Sequence, residues 1–181
     1  MFFTDGSKVD HSTYVGAAIY SPQLQLELMI KLSSYTSVFS AEAYAIYTAI
    51  TISIDMNLPS ATIVTDSMNV LETLKGFRNS TNNYLIPFIK SSLEEAESKG
   101  TAIHFIWVPS HSGITGNEKA DQLAKRAISK GIELNFKVPY SDLCVVTNSK
   151  ITEDFYQHLA TLADFKGSYY FENIFNRAAK P

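Results

Sequence analysis

Four acidic residues carry most of the chemistry that this chain can do. Asp5 follows Phe2-Phe3-Thr4 and Asp66 follows Ile63-Val64-Thr65, so each sits where a short apolar run that reads as a buried strand comes to an end. Glu42 lies three residues after Phe39 and four before Ile46, beside the apolar stripe of a helix rather than opposite it. Asp121 has the same relation to Ala124 and Ile128. Taken singly, each acid has an ordinary explanation: Asp5 before Gly6 as a turn residue, Asp66 as a helix cap, Glu42 and Asp121 as solvated helix charges. Taken together, two strand-end acids and two acids on the borders of apolar helix faces can meet at one end of a sheet, where ligands of α/β folds gather. Converging carboxylates repel one another unless cations neutralise them, and hard oxygen donors of this kind suit Mg²⁺ or Mn²⁺. The expected chemistry is metal-dependent action on phosphates.

The elements that must position these acids follow from pattern. Asp5-Gly6-Ser7 reads as a strand end and turn, and Tyr14 to Tyr20 and Leu24 to Leu32 read as strands joined near Ser21-Pro22, an antiparallel meander. A helix capped by Thr36 or Ser37 should run through Glu42, Ile46, Ile50 and Ile54 until Leu58-Pro59 stops it. Strand Ala61 to Thr65 follows, then a short helix from Ser67 to Lys75 with Gly76 past its end, and a longer one from about Asn83 to Lys99 ending at Gly100. Ala102 to Val108 is the next strand, and a helix from about Asn117 to Lys130 stops at Gly131. A meander followed by alternating strands and helices predicts an α/β fold: a mixed sheet of about five strands flanked by helices. Beyond Gly131 the pattern weakens. Val138-Pro139-Tyr140 reads as a linker, and Ile151 to Phe175 holds helix-compatible apolar positions, including Phe155, Leu159 and Leu162, which make a small C-terminal helical tail.

With 181 residues and 45% hydrophobic composition, the chain can build one well-formed core and not two comfortable ones. The single cysteine, Cys144, cannot form an internal disulfide, and the four histidines form no cysteine–histidine cluster with zinc spacing. An intracellular, reducing setting in cytoplasm or nucleus is therefore expected. Apolar stretches break well short of about 18 positions and Met1-Phe2-Phe3-Thr4-Asp5 has no basic region leading into an apolar one, so neither membrane insertion nor secretion is expected. A formal net charge of −3 argues against a nucleic-acid partner only superficially, because discounting the four metal-occupied carboxylates turns it into +1.

The run Trp107-Val108-Pro109-Ser110-His111-Ser112-Gly113-Ile114-Thr115-Gly116-Asn117-Glu118-Lys119-Ala120-Asp121 is the most specific stretch. Together with Thr4-Asp5-Gly6-Ser7, Ser40-Ala41-Glu42 and Thr65-Asp66-Ser67 it closely resembles ribonuclease H, particularly the version carried by non-LTR retrotransposon polyproteins. Four motifs in register, with the histidine loop before the fourth acid, carry the resemblance over about residues 2 to 131. It implies a ribonuclease H-like fold, a catalytic domain over 1–131, and a linker and C-terminal tail of unassigned role over 132–181. It also implies two Mg²⁺ ions, or Mn²⁺ in their place, held by Asp5, Glu42, Asp66 and Asp121. Two such ions clamp a phosphodiester, one activating the attacking water and the other stabilising the leaving 3′ oxygen. His111 lies on a polar, glycine-containing loop, and imidazole carries protons near neutral pH, so it is the expected assistant in proton movement or product release. A surface histidine without a role is the plain alternative.

Substrate choice must come from elsewhere. Backbone around Gly6 and Ser7, with Ser37, Ser40 and Asn69, is placed to read RNA 2′-hydroxyls across a shallow minor groove. The chain departs from the family in two ways. Asn or Gln is common at contacts where this chain has Val38 and Met68, and the lysine-rich, tryptophan-bearing element of many cellular members is replaced by Gly76-Phe77-Arg78-Asn79-Ser80-Thr81-Asn82-Asn83, with one arginine. The clustered basic face Lys119, Arg126 and Lys130 reads first as a solvated helix surface. Val138-Pro139-Tyr140-Ser141-Asp142-Leu143 is of a kind that follows ribonuclease H in retrotransposon polyproteins, so the chain looks excised from a longer protein with reverse transcriptase as its neighbour. The resemblance thus implies an endonuclease for the RNA strand of RNA–DNA hybrids. Its rivals are an integrase-like core, which the Glu42 and His111 signatures oppose, and a non-catalytic nucleic-acid tether, whose expected mark is a lost acid. Ser–His–Asp hydrolysis has no Gly-x-Ser-x-Gly elbow to support it.

Overall fold

The computed structural model describes residues 1–9, 12–76, 82–134, 136–163 and 167. His11, residues 77–81 of the segment that replaces the basic element, and the end of the expected helical tail lie outside the described residues. Phe2–Lys8 (β1), Tyr14–Ser21 (β2) and Leu26–Ser33 (β3) form the antiparallel meander, in the register Asp5↔Ala18 and Ala17↔Ile30. Helix α1 (Val38–Asp55) starts at the Ser37 cap, whose Oγ accepts the Ser40 N–H at 3.1 Å. Strand β4 (Ser60–Thr65) runs parallel to β1, helices α2 (Met68–Lys75) and α3 (Leu85–Ser98) follow, and β5 (Ala102–Trp107) pairs parallel with β4. Helix α4 (Thr115–Lys130) leads to β6 (Ile132–Glu133) and α5 (Tyr140–Ala163).

The sheet order is β5-β4-β1-β2-β3-β6. It has six strands rather than about five, because Ile132 and Glu133 add to the free edge of β3 opposite Ile30 and Lys31. Two residues carry no periodicity of their own, so this pairing had no sequence signal. A second correction concerns Asp5, which lies inside β1 rather than at its end. Antiparallel pairing with β2 continues to Lys8↔Val15, and what stops at Thr4↔Thr65 is the parallel pairing with β4. The central strands therefore separate just where Asp5 and Asp66 follow those two threonines.

Period-two alternation divides the core between the faces of the sheet. Phe2, Ala17, Ile19, Ile30 and Ile63 pack with Ala45, Ile46, Ala49 and Ile50 of α1 and with Ile86 and Ile89 of α3. On the other face Phe3 and Val64 meet Ala120, and Ala18 meets Leu123 and Ala124 of α4. Two glycines set how closely these helices approach. An added Cβ at Gly6 would lie 2.7 Å from the Glu42 backbone nitrogen, and one at Gly16 would lie 1.9 Å from the Ala124 carbonyl oxygen. Glycine at those positions lets α1 seat on β1, which carries Asp5, and α4 seat on the neighbouring β2.

The chain divides into two compact units, Met1–Leu143 and the residues from Cys144 onward. The first runs past Gly131, where sequence pattern alone ends the catalytic domain. Residues that read as a linker contribute packing: the Phe136 ring meets Tyr44 edge-on at 4.9 Å, and the Tyr84 hydroxyl donates to the Lys137 carbonyl at 2.6 Å. The buried Asp142 carboxylate accepts the Ser37 N–H and the Ser37 hydroxyl, both at 2.9 Å, a negative charge at the N-terminus of α1. Helix α5 starts earlier than the pattern from Ile151 predicts.

Candidate active site

Asp5, Glu42 and Asp66 converge: each offers a carboxylate oxygen within 4.8 Å of the others. Each comes from a different kind of element. Asp5 is on the central strand β1 and only 7% exposed, Glu42 is in the second turn of α1, and Asp66 is the bend between β4 and α2. Neighbours hold the last two in place. Ser67 caps no backbone group of α2, because its hydroxyl instead donates to Glu42 Oε2. The buried Asn117 on α4 donates through Nδ2 to Asp66 Oδ2 at 3.2 Å, and the Trp107 indole N–H donates to the Asp66 carbonyl at 3.1 Å.

The cluster is electrostatically costly as it stands. Burial, then the charge of Asp66, pushes the Asp5 carboxyl up to about 8, with Asp121 and Glu42 adding to the rise and the Gly6 N–H opposing it. Burial likewise pushes Glu42 up to about 7, against the Ser67 hydrogen bond and with the help of Asp66. Acids that resist ionising at neutral pH beside a third carboxylate are a site that positive charge would relieve. The donor set is all oxygen, so the residues fit hard divalent cations such as Mg²⁺ or Mn²⁺.

Asp121 is more than a fourth member of that group. Its field reaches Asp5, yet its close neighbours are His111 and Glu118, with ligand atoms of the three within 4.8 Å of one another. His111 is exposed and its backbone is left-handed, with φ 53°. The loop is braced by Glu118, which accepts the Gly113 N–H through Oε1 at 3.3 Å and places Oε2 4.0 Å from His111 Nδ1. Lys125, one turn beyond Asp121, puts Nζ 2.8 Å from Asp121 Oδ2. The four acids therefore form a tight trio and a neighbouring fourth that already holds a cation.

A family model for RNase H matches residues 1–129. The chain belongs to the ribonuclease H family. The observed mixed sheet with flanking helices is the ribonuclease H-like fold. Membership carries the family's general character: a hydrolase domain, a nuclease for RNA–DNA hybrids that works with divalent metals. Among the described residues no helix is long and apolar enough to cross a membrane.

The residues expected to touch substrate are spread unevenly around this ribonuclease H site. Asn69 is exposed on the first turn of α2, and Ser7 is half-buried on β1 opposite Gly16. Gly6 faces α1, where it serves packing against Glu42. Ser37 is engaged by Asp142, while Ser40 is fully buried and accepts a 2.7 Å hydrogen bond from Asn83. Ser40 thus has no surface to offer a ligand. Val38 and Met68 are the exposed side chains at the start of α1 and α2. Of the basic face on α4, Lys119 is paired with Glu27 on β3 at 2.9 Å, and Arg126 and Lys130 are exposed. Ser67, Asn117, Glu118 and Lys125 were absent from the sequence-derived site, although Asn117 and Lys125 each stand four residues from Asp121, the spacing of one helix face.

Proposed function

We propose that this ribonuclease H domain cuts the RNA strand of RNA–DNA hybrids internally, leaving 3′-hydroxyl and 5′-phosphate ends, with Asp5, Glu42, Asp66 and Asp121 as the ligands of two divalent ions. The observation that carries this reading is the trio of converging carboxylates, two of them pushed up into the neutral range, in a chain of this family. Bound ions would supply the activated water and the stabilisation of the leaving 3′ oxygen. The chain's own residues hold the ligands in place: Ser67 orients Glu42, Asn117 orients Asp66, and Trp107 fixes the bend that Asp66 occupies. Exposed Asn69 and half-buried Ser7, with Ser37, are the groups for reading ribose hydroxyls. The catalytic domain of this proposal is 1–131, followed by the tail of 132–181. Its wider setting is a retrotransposon polyprotein with a reverse transcriptase neighbour, inside the cell, which the motif resemblance and the lone Cys144 support.

Labelled RNA–DNA hybrid, RNA duplex and DNA duplex, each incubated with and without Mg²⁺, test the activity. The hybrid should be cut far faster than either duplex, and only with metal, because 2′-hydroxyl recognition and an intermediate groove shape are both required. A DNA strand carrying a few ribonucleotides sharpens the result: cuts should track them. Cleavage indifferent to their position would make the domain a nonspecific nuclease.

His111 is expected to carry protons or assist product release from its exposed loop. His111→Ala should slow turnover about ten- to a hundredfold without ending it, since an assisting proton carrier contributes less than the metal ligands. Steady-state cleavage of the hybrid measures this. An unchanged rate would leave His111 as surface, and a loss equal to that of a metal ligand would make it a core catalyst.

A further inference from the structure

Asp121 differs from the other three acids in having a resident cation. Among the described residues, none of Asp5, Glu42 and Asp66 pairs with a basic side chain, whereas Lys125 Nζ lies 2.8 Å from Asp121 Oδ2. The ammonium occupies the Asp121 oxygen that a second divalent ion would need. For that ion to bind there, the ammonium has to be moved. Moving it is easy, because the Lys125 side chain is 54% exposed and four methylenes let it swing into water.

Resting on the metal-binding reading above, we propose that Lys125 is a counterion built into the site, competing with a divalent ion for Asp121, so that cations load at the Asp5, Glu42 and Asp66 trio first and at Asp121 second and more weakly. Two effects set the size of the difference. The ion pair must be broken, which for an exposed pair is a factor of about fivefold at most. Like-charge repulsion between the ammonium and the incoming cation adds a smaller, salt-screened part. The trio has no such competitor, and its own repulsion favours early capture of a cation.

The test is a Mn²⁺ titration of the metal-free 181-residue chain, followed by the EPR signal of free ion and by calorimetry, for the unaltered protein and for Lys125→Met, Lys125→Arg, Asp121→Asn and Asp121→Asn/Lys125→Met. The expected result is a tight and a weak phase in the unaltered protein, with the weak phase about five- to tenfold tighter in Lys125→Met and the tight phase unchanged. Lys125→Arg keeps the charge and should keep the weak phase weak. In the Asp121→Asn background the lysine substitution should change nothing. A weak phase that Lys125→Met leaves as it was would overturn the proposal while leaving the metal-binding reading intact. No divalent binding in the unaltered protein would overturn both.

Discussion

Asp66→Asn is expected to abolish hybrid cleavage while leaving the fold in place. The substitution is isosteric, so it opens no cavity at the bend between β4 and α2. The Trp107 indole donates to the backbone carbonyl of position 66, which the change does not touch, and the amide oxygen of the new side chain can still accept from Asn117. What disappears is one negative charge from a trio whose oxygens lie within 4.8 Å. If both ions are needed, the rate should fall at least about a thousandfold, the equivalent of roughly 4 kcal/mol in the barrier. Single-turnover cleavage of a labelled hybrid measures the loss, and a thermal melt checks the fold. A rate near that of the unaltered protein would remove Asp66 from the catalytic machinery, and with it the metal assignment.

Asp66 was legible because its signal is local: an apolar strand run, a carboxylate, then a helix. The same holds for α2, whose observed span Met68–Lys75 nearly coincides with the pattern, and for α1, capped by Ser37, one of the two caps its sequence offers. What failed to show was non-local. β6 exists because Ile132 and Glu133 meet the edge of β3 about a hundred residues away in sequence, a pairing no window on the chain could see. β1 outlasts its apolar run because β2 keeps pairing with it through Lys8. In the site, the carboxylates could be picked out by type and placement, yet their partners could not. Ser67 reads only as the start of a short helix until its hydroxyl is found on Glu42, and Ser40 reads as a polar contact until its complete burial against Asn83 is seen. Lys125 stands four residues beyond Asp121, a spacing shared with any ordinary helix-surface pair, and so carried no signal of its own. Only the neighbouring trio gives that pair a consequence.

Asp5→Asn should destroy activity as Asp66→Asn does, yet make the metal-free protein more stable at neutral and alkaline pH. The sign follows from proton counting. In the unfolded chain Asp5 and Glu42 ionise near 3.8 and 4.5, whereas in the folded chain burial and neighbouring acids hold them protonated up to about 8 and 7. Between those limits the folded state binds more protons than the unfolded one, so stability falls as pH rises through the window from about 4 to about 8 and levels off above it. This is the reverse of an ordinary paired carboxylate, whose contribution is lost on acidification. Removing the Asp5 charge removes its share of that slope. The gain at pH 8 should be about 1–4 kcal/mol, the range for relieving a buried charge, and each kcal/mol raises the melting temperature by about 2–4 °C in a chain of this size. Near pH 3.5 the two proteins should melt alike. Saturating Mg²⁺ should then invert the order at pH 8, because an ion that binds only the folded, ionised cluster stabilises the unaltered protein by mass action and gains much less from the variant. Thermal melts across pH, with EDTA and with Mg²⁺, read every part of this. A metal-free variant less stable than the unaltered protein at pH 8 would mean that the Gly6 N–H bond to Asp5 outweighs the repulsion, and that the cluster is not held at a cost for a cation to relieve.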